Sequence, residues 1–167
     1  EIASCLVGSE MCIRDRHTFW NTTQFFSTLL LASFSHLALA SDISGTWRSI
    51  DDKTGSPKAF LEIRETASGV YAAKITKITP RPGYTPKENC VSCPAPYTNK
   101  PILGLDVLTG LKHVGNNSFA QGKLLDPLSG NLYNTKAKLS ANGKRLILRG
   151  YIGVSALGRS QTWIKQD

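Results

Sequence analysis

The strongest constraint on the fold is a two-residue alternation in the last third of the chain. Between Leu132 and Ser140, Tyr133, Thr135, Ala137 and Leu139 oppose Asn134, Lys136 and Lys138. Successive side chains of a strand point to opposite faces, so the pattern predicts a half-buried β-strand over 132–140. Ala141-Asn142-Gly143 follows as a hairpin signal. Residues 144–152 then predict a partner strand, with Leu146, Leu148 and Ile152 on one face and Arg149 and Tyr151 on the other.

The same grammar runs upstream. Residues 43–50 form a strand that ends in the turn-rich Asp51-Asp52-Lys53-Thr54-Gly55. Residues 58–65 alternate, with Ala59, Leu61 and Ile63 opposed to Glu62 and Arg64. After Ser68-Gly69, residues 70–78 place Tyr71, Ala73 and Ile75 on one face. Residues 102–114 form a strand with a bend at Gly104 or Gly110. Residues 119–125 and 159–165 complete the set, with turns at Gly115-Asn116-Asn117 and at 126–130. Between 79 and 101 the chain is irregular and holds six of its eight prolines. No window sustains a 3.6-residue period, so the reading is all-β.

Eight strands joined mostly by tight turns make an antiparallel meander. Two open edges would invite aggregation, and curling until the last strand meets the first removes both. Eight strands also close a barrel just wide enough to be filled by side chains or to hold one small ligand. The expected fold is an antiparallel, eight-stranded up-and-down barrel forming a single domain over residues 41–167.

Two segments ahead of it read as something other than fold. Residues 6–15, LVGSEMCIRD, are encoded by CTC GTG GGC TCG GAG ATG TGT ATA AGA GAC, and the run resembles a translated sequencing adapter. Residues 1–16 are therefore set apart, Cys5, Cys12 and Met11 with them, and the natural start codon is expected outside this sequence. Residues 17–40 read as a secretory signal: an apolar stretch from Phe25 ends in the small-x-small site Ala38-Leu39-Ala40. At about 16 residues the stretch is short for a membrane span of ~20. A removable signal helix, cleaved after Ala40, is the expectation, with the mature chain periplasmic or secreted and without a stable membrane span.

Residues 41–167 carry 18 Lys and Arg against 9 Asp and Glu, a formal charge of +9. In a cytosolic protein such a balance would raise nucleic-acid binding. For an exported chain the available polyanions are lipid head groups, lipopolysaccharide or cell-wall polymers. The charges are scattered rather than blocked, as solvated strand faces would have them. No cluster of aromatics at strand spacing offers a base-stacking surface, so no nucleic-acid partner is expected.

Five groups of residues stand out together: Gly45-Thr46-Trp47-Arg48 with Ile50-Asp51-Asp52-Lys53-Thr54-Gly55, then Lys100-Pro101-Ile102-Leu103-Gly104-Leu105, then Gly122-Lys123-Leu124-Leu125-Asp126-Pro127 with Gly130. Arg149-Gly150-Tyr151-Ile152-Gly153 and Leu157-Gly158-Arg159-Ser160-Gln161-Thr162-Trp163 complete them. Together they resemble a family of bacterial exported proteins, the domain-of-unknown-function 2147 (DUF2147) family. The resemblance implies a lipocalin-like barrel in the envelope or secreted space and implies no established activity. A second likeness is to lipocalins themselves, which carry Gly-x-Trp in the first strand with a late arginine over the indole. Gly45 and Trp47 match the first half, Arg159 or Arg149 is the expected cation, and Trp163 belongs to the closing strand. All of these are assigned structural roles.

Chemistry-bearing candidates are few. Cys90-Val91-Ser92-Cys93 suits thiol–disulfide exchange, zinc ligation or a small structural disulfide. Exchange wants a low-pKa thiolate at a helix N-terminus, and the flanking prolines oppose a helix. A structural zinc wants four ligands, and residues 41–167 add only His113. A disulfide between Cys90 and Cys93 in an oxidising compartment is the expectation, with no metal and no cofactor. His113, Asp106 and Asp126 stand without a nucleophile elbow. No catalytic residue is assigned, and the chain reads as a non-enzyme, with redox chemistry at Cys90 and Cys93 the exception.

The glycine-rich segment 150–159 reads either as one rim of a barrel mouth or as a packed connection. Residues 79–101 read as a lid over the other rim or as a long stapled excursion. Arg149, Tyr151 and Arg159 are the candidate ligand-binding residues. The leading expectation is an exported barrel binding a small amphipathic or lipid-like ligand, its interior apolar with one or two cations. The alternative is a filled-core interaction module acting on an anionic envelope component or a protein partner. Ligand identity and oligomeric state stay open.

Overall fold

In a computed structural model of the chain, the described residues are 42–52, 54–80, 83 and 85–167. The adapter-like run, the signal segment and the cleavage site after Ala40 lie outside them. Alternation of apolar and polar residues produces eight strands: β1 (Gly45–Ile50), β2 (Pro57–Glu65), β3 (Tyr71–Ile78), β4 (Asp106–Gly115), β5 (Ser118–Leu125), β6 (Leu132–Leu139), β7 (Arg145–Tyr151) and β8 (Arg159–Lys165). Each pairs antiparallel with its sequence neighbours, and β8 returns to β1 through Trp47↔Lys165, Arg48↔Ile164 and Ser49↔Trp163. The expected up-and-down barrel is closed.

Leu61, Ile63, Tyr71, Ala73, Ile75, Ala137, Leu139, Leu146, Leu148 and Trp163 all point inward and are buried. Ile152 corrects the alternation. β7 ends at Tyr151, and Ile152 lies in the following connection, 68% exposed. The strand expected over 102–114 is also displaced. β4 starts at Asp106, while Ile102 and Leu105 bury themselves under the barrel end as part of the β3–β4 connection. That segment still borrows strand bonds, with Ile75 N–H donating to the Leu105 carbonyl (3.0 Å) and Gly104 N–H to the Ile75 carbonyl (2.7 Å). The backbone takes positive φ at both suspected bends, Gly104 and Gly110.

On the outer face, Glu62 pairs with Lys74 at 2.9 Å, and Arg64 forks onto both carboxylate oxygens of Asp106 at 2.8 Å. These exposed pairs tie β2, β3 and β4 together for a few tenths of a kcal/mol each, up to about 1.

Candidate functional site

An up-and-down barrel sends its odd-numbered connections to one end and its even-numbered ones to the other. The even connections, β2–β3, β4–β5 and β6–β7, are short turns. Beneath them Trp47, Ile63, Tyr71, Leu111, Phe119 and Leu146 fill the interior. The Trp47 indole N–H donates to the Ile43 carbonyl at 2.8 Å, so its one polar atom is satisfied inside. Phe119 meets Tyr71 and His113 edge-on at 5.7 and 5.1 Å. The cation over Trp47 is the Lys165 ammonium, 5.7 Å from the ring, which corrects the expectation of Arg159 or Arg149. The reason is register: Lys165 lies directly opposite Trp47 across the β1–β8 seam.

The odd connections surround a cavity of about 650 Å³, and all four of them line it. This is the size of a small-molecule site, roughly 300–1,000 Å³. Small inward residues make the space. Ser49, Ala59 and Gly150 occupy barrel-facing positions where the closed end has tryptophan, isoleucine and leucine. Leu61, Ile75, Leu124 and Trp163 form the apolar wall. Polar groups reach it at the mouth: Asp51, Asp52, Lys58, Asp126, Tyr151 and Arg159.

Several of these are committed to their own loops. Asp51 accepts from the Thr54 N–H (2.9 Å) and hydroxyl (3.1 Å), with Lys58 at 3.9 Å. Asp126 accepts from the Leu128 N–H (3.1 Å) and the Ser129 hydroxyl (2.8 Å), which shapes the β5–β6 turn. Arg159 is freer. It meets Asp52 at 3.3 Å while 71% of its side chain stays exposed. The Thr79 hydroxyl, buried and on a cavity-lining residue, has no hydrogen-bond partner among the described residues.

The candidate ligand-binding residues therefore divide. Tyr151 and Arg159 line the cavity, whereas Arg149 does not. One residue of register separates the two arginines: Gly150 pairs with Arg159 facing in, and Arg149 pairs with Ser160 facing out. The Arg149 guanidinium donates to the Ser155 carbonyl (2.7 Å), the Ala156 carbonyl (2.7 Å) and the Ser160 hydroxyl (3.2 Å). It clamps the β7–β8 connection.

Cys90 and Cys93 are joined in a disulfide within the β3–β4 connection. Both sulfurs are buried, and the chain around them is knitted by Cys90 N–H to the Lys100 carbonyl (2.9 Å), Asn99 N–H to the Cys90 carbonyl (3.0 Å) and the Thr98 hydroxyl to the Cys93 carbonyl (2.8 Å). The β5–β6 turn presses against this loop. Gly130, at φ +79°, lies so close to the Ser92 carbonyl that a Cβ would collide with it. The proline-rich and glycine-rich segments thus meet at a single mouth. Counting connections in the meander could have placed them there, since the third and seventh share an end.

Asp42, Tyr71 and Arg64 have displaced pKa values, and none of these three lines the cavity. The Asp42 carboxyl is held low by the Ser44 N–H at 2.8 Å, against some desolvation, with Lys165 assisting. Burial, then the Glu65 and Asp42 charges, push the Tyr71 phenol up. The Asp106 carboxylate raises Arg64.

Comparison with known proteins agrees with this architecture. A solved structure described as a Helicobacter pylori protein belonging to the lipocalin family superposes with a TM-score of 0.63. The two share 22% identity, over 75% of this chain and 84% of that one, which shows a common fold. No curated protein matches the chain. The family model of DUF2147, uncharacterized proteins conserved in bacteria, matches residues 45–165, from the first residue of β1 to the last of β8. The chain belongs to the DUF2147 family, on a lipocalin-like barrel.

Proposed function

We propose that this barrel is a non-enzymatic, exported binding protein for a small amphipathic molecule. The observation that carries the reading is the cavity of about 650 Å³, with Leu61, Ile75, Leu124 and Trp163 in its wall, Ser49 and Gln161 among them, and charged groups at its mouth. Such a site suits a ligand with one apolar end and one hydrogen-bonding or anionic end. The apolar end would lie against Leu61, Ile75, Leu124 and Trp163. The polar end would meet Arg159 and Tyr151. Arg159 is a cation available for this, beside Lys87 on the same lining, because its exposed pair with Asp52 costs little to exchange. Arg149 is already bonded to carbonyls and supports the rim instead.

The Cys90–Cys93 disulfide favours an oxidising compartment, in keeping with export of residues 41–167. A filled-core module would leave no cavity beyond a few waters, so the open half of the barrel speaks for a ligand.

The test is native mass spectrometry of residues 41–167 exported to a bacterial periplasm and purified without detergent. A small molecule bound one-to-one and released on denaturation is the expected result. A bare protein mass, with no uptake from a mixture of fatty acids and phospholipids, would overturn the reading in favour of an interaction module.

A further inference from the structure

Apolar side chains exposed to solvent gather at the mouth. Val91 and Leu103 project from the β3–β4 connection and Leu128 from the β5–β6 turn. Ile152, Val154 and Leu157 project from the β7–β8 connection. Leu157 is 88% exposed and Val154 65%. A leucine held in water forgoes burial worth roughly tenfold to a hundredfold in an equilibrium. Single exposed apolar residues need no explanation, but several encircling one cavity opening do.

The β7–β8 connection carries the clearest signal. Its residues 152–158 contain no charge. A short 3₁₀ turn, Ser155–Leu157, sits at its tip. The tip is fixed to the rim by β6 and β7: Arg149 bonds the Ser155 and Ala156 carbonyls, Lys136 reaches the Ser155 hydroxyl at 3.1 Å, and Gly158 passes too near the Gly150 carbonyl to admit a side chain. Three cations, Lys136, Arg149 and Arg159, thus surround the base of an apolar tip. The ion pair made there is that of Arg159 with Asp52.

We infer that the barrel docks mouth-first on an anionic lipid bilayer, with Val154 and Leu157 entering the interface and Lys136 and Arg159 meeting head-group phosphates, while Arg149 keeps its bonds to the tip. An apolar tip ringed by cations matches the layering of such a surface, apolar below and anionic above. The net positive charge of residues 41–167 adds attraction at longer range. Docked in this way, the cavity opens toward the membrane, and an amphiphile could pass between bilayer and barrel without crossing water. That purpose rests on the amphiphile-binding reading. Docking itself is measured separately.

The closed sheet and its core lie wholly within residues 41–167, so that segment is the sample, and it omits the apolar stretch at 25–40 that would bind lipid on its own. Flotation is measured with vesicles of phosphatidylcholine and phosphatidylglycerol in equal parts, and with phosphatidylcholine alone. Binding to the anionic vesicles is expected, weakened by salt and several-fold lower without phosphatidylglycerol. Val154→Asp should lower it roughly tenfold to a hundredfold, while uptake of a soluble fluorescent fatty acid in the absence of vesicles stays intact. Leu157→Trp should blue-shift in emission on the vesicles. No flotation, equal flotation of Val154→Asp, or an unshifted Leu157→Trp would each overturn docking through this tip. Docking with no fatty-acid uptake would remove the amphiphile reading and leave the membrane-facing mouth standing.

Discussion

The two ends of this barrel are built from the same eight strands and differ in what those strands point inward. At the closed end Trp47, Phe119, Leu111 and Leu146 are fully buried in one core under short turns. At the open end Ser49, Ala59 and Gly150 take equivalent positions, and longer connections stand around the space left by their small side chains. One end is a core that stabilises the sheet; the other is a site that the stabilised sheet can hold open. Side-chain volume at a few inward positions decides which is which, because the same eight strands run through both.

The largest effect should come from hollowing the closed end. Trp47→Ala removes a fully buried indole and its hydrogen bond to Ile43. A loss of about 3–5 kcal/mol is expected from urea denaturation. If the loss is under about 1 kcal/mol, that end is not the stabilising one and the comparison breaks.

Enlarging a side chain sharpens the contrast, because one substitution can be made at both ends. Ala73 is fully buried in packed surroundings, so Ala73→Leu should cost about 1–3 kcal/mol through overpacking. Ala59 faces the cavity, so Ala59→Leu has room and should change stability by less than about 1 kcal/mol. It should also lower ligand uptake, read by native mass spectrometry. Equal costs at the two positions would mean that the cavity closes when empty.

Joint replacement of Cys90 and Cys93 by alanine should cost about 2 kcal/mol by loop-closure entropy, the smaller end of disulfide effects because the closed loop is short. The effect should concentrate at the open end. Amide exchange is expected to rise in the β3–β4 connection and the β5–β6 turn packed on it, and to stay unchanged at the β6–β7 hairpin. A uniform rise would mean that the two ends unfold together.

The parts of the fold legible in the sequence were those set by local chemistry. The alternation of Tyr133, Thr135, Ala137 and Leu139, and the Asn142-Gly143 turn after it, reported β6, β7 and their shared face. The parts that were not legible depend on register between segments joined by irregular chain. Arg149 and Arg159 look interchangeable as residues. The β7–β8 register set by the connection between them decides that one faces out and the other lines the mouth, and a shift of one residue would reverse them. Lys165 was missed as the cation over Trp47 for a similar reason: the β1–β8 seam joins residues far apart in the sequence, and no local pattern sets its register. The cavity itself was legible only as an option. Ala59 and Gly150 are ordinary strand residues until closure places them opposite one another's strands with nothing between.

The smallest effects separate the cation found over Trp47 from one that lipocalin likeness had offered for that place. Lys165 stacks at 5.7 Å on a fully buried indole at the closed end, so Lys165→Gln should cost about 0.5 kcal/mol. It should leave ligand uptake unaltered, since Lys165 lies outside the cavity lining. Arg159 makes one exposed ion pair at the open end, so Arg159→Gln should shift stability by no more than a few tenths of a kcal/mol. Its effect should appear in binding instead: weaker uptake of a fatty acid than of the corresponding uncharged alcohol, the difference narrowing as salt screens the head group. The pair of variants asks whether charge at each end serves the fold or the ligand. Should Arg159→Gln cost more stability than Lys165→Gln, the open end would be holding the barrel together, and the division drawn between a stabilising end and a binding end would have to be redrawn around the β1–β8 seam.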